Sequence, residues 1–106
     1  MIRHTVIFRL RHEAGSAAEA DFLRTARARL EPIPGVGRFE VLRQTGSQSA
    51  YRFSLSMEFA DAAAYRAYNE HPDHVAFVQG RWIPEVEEFL ELDFERYDGT
   101  GDERSS

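Results

Sequence analysis

The side chains best suited to proton-transfer chemistry in this chain are histidines and tyrosines that lie among apolar residues. His4 alternates with apolar residues near the start of the chain, and His74 lies one helical turn before Phe77. On such a face a neutral imidazole can take a proton from a carbon acid. Tyr65 and Tyr68 have helical spacing, and the Tyr68 hydroxyl is a candidate donor to a carbonyl oxygen. These residues predict a general acid/base site, while structural histidines in a core remain the alternative.

Two residue types on which much enzyme chemistry depends are absent. The sequence has no Cys, which removes thiolate nucleophiles, disulfides and cysteine zinc sites and fits a reducing cytoplasm. It has no Lys either, since all 13 basic residues are Arg, and this excludes Schiff-base chemistry. His71 and His74 lack a clear third metal ligand, and His71 is expected to start a helix before Pro72. We therefore predict chemistry without a metal or an organic cofactor.

Length, composition and charge restrict the class of protein further. The chain has 106 residues, of which 42% are hydrophobic, enough for one compact domain. The formal net charge of −5 argues against nucleic acid as a partner. No apolar run reaches the roughly 20 residues that cross a bilayer, and no signal-peptide pattern is present, so we expect a cytoplasmic protein without membrane contact. We predict one domain over residues 1–97 and a flexible tail over 98–106.

The elements that must position the candidate residues follow from apolar periodicity. Ser16 and Glu19 predict a capping box at the start of a first helix. Asp61 is expected to cap a second helix and Pro72 to open a further helical turn. A turn into the last strand is expected at 82–84. Alternation of apolar and polar residues predicts four strands, over 2–10, 38–44, 51–59 and 88–96.

The order of these elements predicts the fold. The order is strand, helix, strand, strand, helix, strand. It is typical of an α+β, ferredoxin-like βαββαβ fold, in which a four-stranded antiparallel sheet carries both helices on one face. The other face is then uncovered. Ile7 and Leu42 lie on that face among polar residues, so a second sheet could pack against it. We predict a homodimer joined through the sheet faces.

Acidic residues crowd the region of the last strand. Paired catalytic carboxylates are one interpretation of this pattern, but a solvated edge is the interpretation that a run of like charges favours. The run consists of Glu85, Glu87, Glu88, Glu91, Asp93 and Glu95.

Three segments resemble the stress-responsive α/β-barrel (Dabb) family. They are the first strand from Arg3 to Leu10, the segment Ile33-Pro34-Gly35-Val36 after the first helix, and the pattern Tyr68-x-x-His71-Pro72-x-His74-x-x-Phe77-Val78. The resemblance extends over about the first 96 residues. It implies a homodimer whose two sheets pack face to face into a dimeric α+β barrel, with a pocket between sheet and helices in each subunit.

The resemblance also implies a candidate chemistry. One enzyme group in the family is similar to a cofactor-free polyketide cyclase of the olivetolic acid type, which closes an aromatic ring by aldol or Claisen chemistry. Its strand-one His, helix Tyr and second His of His-Pro-x-His correspond to His4, Tyr68 and His74. That group has a His where this chain has Phe53 and a Tyr where it has Ala26, so the pocket here is more apolar.

The sequence thus predicts a small-molecule-binding protein with an apolar ligand. A cofactor-free cyclase or lyase acting on a polyketide-like or other apolar carbonyl compound is the enzymatic interpretation, with His4, His74 and Tyr68 as catalytic residues. A non-catalytic, stress-related ligand-binding dimer and a cofactor-free monooxygenase on the same barrel are the alternatives. The predicted pocket lining is apolar and consists of Val6, Phe8, Phe22, Phe53, Leu55 and Phe77.

Overall fold

A four-stranded antiparallel sheet forms one layer of the computed structural model, which describes residues 1–98. The strands lie side by side in the order β2-β3-β1-β4, so that β1 is central and β4 forms an edge. Their bounds are β1 Ile2–Leu10, β2 Gly37–Arg43, β3 Phe53–Phe59 and β4 Val86–Glu95. This is the predicted α+β, ferredoxin-like arrangement. Apart from Asp98, the tail predicted over 98–106 lies outside the described residues.

The helical layer covers one face of this sheet. Its main elements are α1 Ala17–Leu30, α2 Ala62–Glu70 and α3 Pro72–Phe77. The Ser16 Oγ accepts a hydrogen bond from the Glu19 backbone N–H at 3.2 Å, as the predicted cap requires. Asp61 caps α2 in the same way, accepting from the Ala64 N–H at 2.8 Å. Both helices therefore begin where the local sequence predicts.

The segment before β4 differs from the prediction. A π-helical turn, Val78–Trp82, continues from α3, and a short helix α4, Ile83–Glu85, follows it directly. Pro84 fits inside the first turn of α4, where a missing N–H costs nothing. The predicted turn at 82–84 is therefore helical, and β4 begins at Val86.

The core lies between the sheet and the helices. Along β1 every second side chain is buried on the helical side, beginning with His4 and ending with Leu10. From α1 the buried side chains include Phe22, Ala26 and Leu30, which form the predicted apolar stripe of that helix. Within residues 1–98 no helix is long and apolar enough to cross a membrane.

The opposite face of the sheet has no helix against it, and we call it the open face. Strand register places Leu90 beside Ile7, Leu92 beside Thr5 and Phe94 beside Arg3. Because side chains alternate along a strand, Leu90, Leu92 and Phe94 all project onto the open face. They are between 37% and 53% exposed. The open face is therefore more apolar than the sequence analysis predicts.

Candidate functional site

A cavity of about 320 Å³ lies between the helical side of the sheet and the helical layer. Strands β1 and β3 contribute apolar residues to it, and the helical segment 74–83 contributes another part of the wall. Four of the lining side chains are polar, and they come from four different elements. These are His4, Tyr68, His74 and Glu91. The sheet thus brings His4 to the same cavity as His74, although 70 residues separate them in the chain.

Half of the predicted apolar lining residues reach this cavity. Val6, Leu55 and Phe77 line it. The other predicted residues do not line it and belong to the closed core, with Phe8 and Phe22 fully buried. The helical segment before β4 explains the difference, because Trp82 lines the cavity and packs on both rings, with centroids 4.9 Å from Phe8 and 6.1 Å from Phe22.

Phe53 also lies outside the lining. It packs against Phe8, with ring centroids 6.1 Å apart, and is only 6% exposed. The three phenylalanines Phe8, Phe22 and Phe53 therefore belong to the core behind the cavity and not to its lining.

His4 is held by two side chains that the sequence analysis did not select. Its Nδ1 lies 2.7 Å from Oδ1 of Asp93 and 2.8 Å from the Tyr65 hydroxyl. The Tyr65 hydroxyl also donates to Asp93, with its oxygen 3.0 Å from Oδ2. An ionised carboxylate can only accept, so the Nδ1 atom of His4 carries the proton that it shares with Asp93. Nε2, which has no hydrogen-bond partner among residues 1–98, is then the ring nitrogen available to a ligand.

His74 is oriented by the backbone. Its Nδ1 donates to the carbonyl oxygen of Asn69 at 3.1 Å, because a carbonyl oxygen cannot donate. Burial lowers the pKa of His74, the nearby His4 lowers it further, and the Asn69 carbonyl and Glu91 act in the opposite direction. The result is a neutral imidazole whose Nε2 can accept a proton.

Tyr68 lies between the two histidines. Its ring centroid is 4.5 Å from that of His74 and 6.3 Å from that of His4. The residue is 2% exposed, and burial is the main reason that the pKa of its hydroxyl is raised. The hydroxyl therefore stays protonated, and within residues 1–98 it has no protein acceptor. It is available to donate to an oxygen atom in the cavity.

Asp93 and Tyr65 complete the site, and only the position of Tyr65 could be inferred from neighbouring residues in the sequence. Tyr65 is three residues from Tyr68 on α2 and shares its side of the helix. Asp93 belongs to the acidic run that the sequence analysis assigned to a solvated edge. It reaches His4 because the two residues are paired across β1 and β4. Once Leu92 is placed on the open face, alternation requires Asp93 to project toward the helices.

A larger depression, of about 840 Å³, lies at one end of the sheet. It involves Arg3 and Glu58, which are joined by an ion pair of 2.5 Å. Arg3 also donates to the Ser56 hydroxyl at 2.7 Å. These polar groups satisfy one another, and no His or Tyr is among the described residues that line this depression. The smaller cavity with the histidines is therefore the candidate site.

His71 has the structural role that the sequence predicts. It caps α3, and its Nδ1 accepts from the Asp73 backbone N–H at 3.1 Å. In the part of the chain that the structure describes, no group of three or more His, Asp and Glu side chains is arranged to hold a metal ion.

The one-sided helical layer, the antiparallel sheet and the cavity between them define a ferredoxin-like α+β protein with an internal site. The family model of the stress-responsive A/B barrel domain matches residues 2–96. The chain belongs to this family, Dabb. No curated protein matches it.

Solved structures agree with this assignment. A Dabb family protein with a ferredoxin-like fold from Mesorhizobium loti is 55% identical, with a TM-score of 0.89 over 91% of this chain and 96% of that chain. A dimeric ferredoxin-like protein of unknown function from Thermobifida fusca is 24% identical, with a TM-score of 0.71 over 90% of each chain. A hydroxynitrile lyase from Passiflora edulis is 16% identical, with a TM-score of 0.76 over 92% of this chain and 94% of that chain. The last two share the fold.

Proposed function

We propose that this protein binds an apolar carbonyl compound in the cavity and catalyses proton transfer on it without a cofactor, as a cyclase or lyase of aldol type. One observation carries the proposal. His4 and His74 line the same cavity, each has its Nδ1 engaged by a fixed partner, and each has its Nε2 available. Two such imidazoles with a protonated phenol between them are the groups that an enolisation needs.

His4 is the general base in this proposal. Its Nε2 takes a proton from the carbon next to the ligand carbonyl, and the C–H electron pair moves into an enolate. The imidazolium formed on His4 is stabilised by Asp93, which holds the ring through Nδ1 at 2.7 Å. The Tyr68 hydroxyl donates to the oxygen on which the negative charge develops.

The following step forms or breaks the carbon–carbon bond. In the cyclase direction the enolate carbon attacks a second carbonyl carbon, and the resulting alkoxide takes a proton from the His4 imidazolium. In the lyase direction the same bonds change in reverse order. Nε2 of His74 accepts a hydrogen bond from a ligand hydroxyl and orients it. The apolar walls exclude water, which strengthens these interactions.

The neighbouring structures support the proposal only in part. The Passiflora edulis hydroxynitrile lyase has the same fold, and lyase chemistry is therefore compatible with this architecture. At 16% identity it does not assign a substrate or a residue role to this chain.

We propose that the protein forms a homodimer whose two subunits contact each other through the open face. Solved relatives of this fold include proteins described as dimeric. Leu42, Leu90 and Phe94 are each between 45% and 53% exposed on the open face, and exposed apolar side chains on an uncovered sheet face favour an interface there. The cavity lies on the other side of the sheet and stays accessible in such a dimer.

The proposal can be tested without knowing the natural substrate. A neutral β-diketone such as 2,4-nonanedione is incubated with the protein in D₂O, and exchange at the carbon between its carbonyls is followed by NMR. We expect exchange above the buffer rate and a loss of about 10²- to 10⁴-fold in H4Q. H74Q should also be slower. H71Q is the matched control, because His71 caps α3 outside the cavity lining, and should exchange at the wild-type rate.

Binding of a neutral fluorescent probe, N-phenyl-1-naphthylamine, separates the two interpretations of the cavity. If the probe binds and 2,4-nonanedione displaces it, but wild type and H4Q exchange at the same rate, the protein is a ligand-binding module and the catalytic proposal is wrong. A protein that binds neither molecule has no small-molecule function at this site.

A further inference from the structure

The cavity contains a carboxylate that the proposed mechanism does not use. Glu91 lies in β4 opposite Val6 of β1. Side chains that alternate with Leu90 and Leu92 project toward the helices, so Glu91 lines the cavity together with His4 and His74. An acidic side chain at this position is not needed for packing, since the residue itself is exposed.

No neighbour in the described part of the chain neutralises the charge of Glu91. Within residues 1–98 it makes no ion pair and no side-chain hydrogen bond. Other acidic residues of the same region are paired: Glu87 and Glu88 with Arg9 at 3.0 and 3.2 Å, and Glu85 with Arg81. Glu91 is therefore an unpaired carboxylate that borders the cavity, whereas Glu95, which has no ion pair among residues 1–98 either, lies outside the lining.

The rest of the lining provides no compensating charge. No Arg in the described part of the chain lines the cavity, and the sequence has no Lys. His74 is kept neutral by burial, which lowers its pKa. Any positive charge on His4 is balanced by Asp93, its hydrogen-bonded partner.

The field of Glu91 reaches the groups inside. Burial raises the pKa of Tyr68, and Tyr65 and the negative charge of Glu91 raise it further. The same charge opposes the lowering of the pKa of His74. A ligand beside these side chains experiences the same negative potential, which water screens only in part in a half-enclosed cavity.

We propose that Glu91 makes this cavity selective against anionic ligands, so that the substrate is a carbonyl compound that is neutral or bears a protonated amine and has no carboxylate or phosphate group. This inference rests on the proposed binding of a carbonyl compound in the cavity. A carboxylate ligand would lose hydration on entry and would meet a like charge with no cation to offset it. A neutral ligand avoids both costs, and an ammonium group gains an attractive partner.

Three ligands with the same chain length test the selectivity: 2-decanone, decanoate and decylammonium. Each displaces N-phenyl-1-naphthylamine from the wild type and from E91Q at neutral pH and low salt. We expect decanoate to bind wild type more weakly than 2-decanone and decylammonium to bind at least as well as 2-decanone. In E91Q, decanoate should bind about three- to tenfold more tightly and decylammonium more weakly, the size expected of one partly solvated charge, while 2-decanone is unchanged.

E88Q is the matched control. It removes one negative charge from the same strand, but Glu88 is paired with Arg9, and both residues lie outside the cavity lining. The order of the three ligands should therefore stay as in wild type. Added salt gives an independent readout on the unmodified protein, because screening should narrow the difference between decanoate and decylammonium.

The outcomes separate this inference from the proposed function. The role of Glu91 would be overturned if wild type bound decanoate and 2-decanone with equal affinity, or if E91Q showed the same affinity differences among the ligands as wild type. This holds even if deuterium exchange of 2,4-nonanedione depends on His4. Selective binding without any exchange of 2,4-nonanedione would retain the role of Glu91 and refute catalysis. If none of the three ligands displaces the probe, both are wrong.

Discussion

Asp93 provides the sharpest test of how the site works. In D93N an amide replaces the carboxylate, with nearly the same shape and without the charge. Asp93 Oδ1 lies 2.7 Å from Nδ1 of His4, and the Tyr65 hydroxyl donates to the same carboxylate. The substitution therefore removes the anion that stabilises an imidazolium on His4 and allows the ring to adopt the other tautomer.

The expected magnitudes differ for catalysis and for stability. Replacing the carboxylate of a related Asp–His pair by an amide lowers turnover by about 10⁴-fold in serine proteases, and we expect a loss of about 10²- to 10⁴-fold here. The Asp93 side chain is 43% exposed, and a partly exposed ion pair contributes only about 0–1 kcal/mol to the free energy of unfolding. The rate should therefore fall far more than the stability.

The assay is the deuterium exchange of 2,4-nonanedione, run beside urea unfolding of the same samples. E95Q is a suitable control, because Glu95 lies two residues further along β4 on the same side and opposite Ile2, away from His4. If D93N keeps its exchange rate within about twofold of wild type while H4Q is impaired, Asp93 does not act through His4 and this reasoning is refuted.

Two further predictions concern the charge state and the assembly. Burial lowers the pKa of His74 below its ordinary value of 6.5, so the unfolded chain binds a proton at this residue before the folded protein does, and the free energy of unfolding should decrease as the pH falls below 6.5. H74Q should reduce this decrease in urea unfolding measured as a function of pH. An NMR titration midpoint of His74 at or above 6.5 would contradict the prediction. L90R should convert the proposed dimer to a monomer in light scattering, because it places a charge on the open face. V75R should remain dimeric, because Val75 is equally exposed at 45% but lies on α3. A monomeric wild type or a dimeric L90R would refute the interface.

The sequence predicted the parts of this molecule that depend on neighbouring residues. Helix starts at Ser16 and Asp61 follow from side chains that reach three residues along the chain, and strand alternation places His4 on the buried side. The partner of His4 is different, since Asp93 is 89 residues away and its role depends on which strand lies beside β1. A run of acidic residues has the same local appearance whether it faces solvent or a histidine.

The lining of the cavity was partly mispredicted for a related reason. The sequence analysis expected a turn at 82–84 and did not place Trp82 against Phe8 and Phe22. The helical continuation through Glu85 places Trp82 over both rings. Trp82 also packs on Phe89 of β4, with ring centroids 5.6 Å apart, and Pro84 lies in the first turn of α4, where proline is compatible with a helix.

Strand β4 has two different sides, and this links assembly to the site. Among residues 1–98 it is an edge strand that hydrogen-bonds to β1 alone, so its outer edge has no neighbouring strand in the sheet. Leu90, Leu92 and Phe94 face outward, while Glu91, which lines the cavity, and Asp93, which holds His4, lie on the helical side. In the proposed dimer, a second subunit packed on Leu90 and Leu92 would also restrict the motion of the carboxylate that orients His4. If the proposed dimer and the proposed catalysis both hold, the activity per subunit should fall on dilution, because dissociation would leave Asp93 and His4 less firmly held.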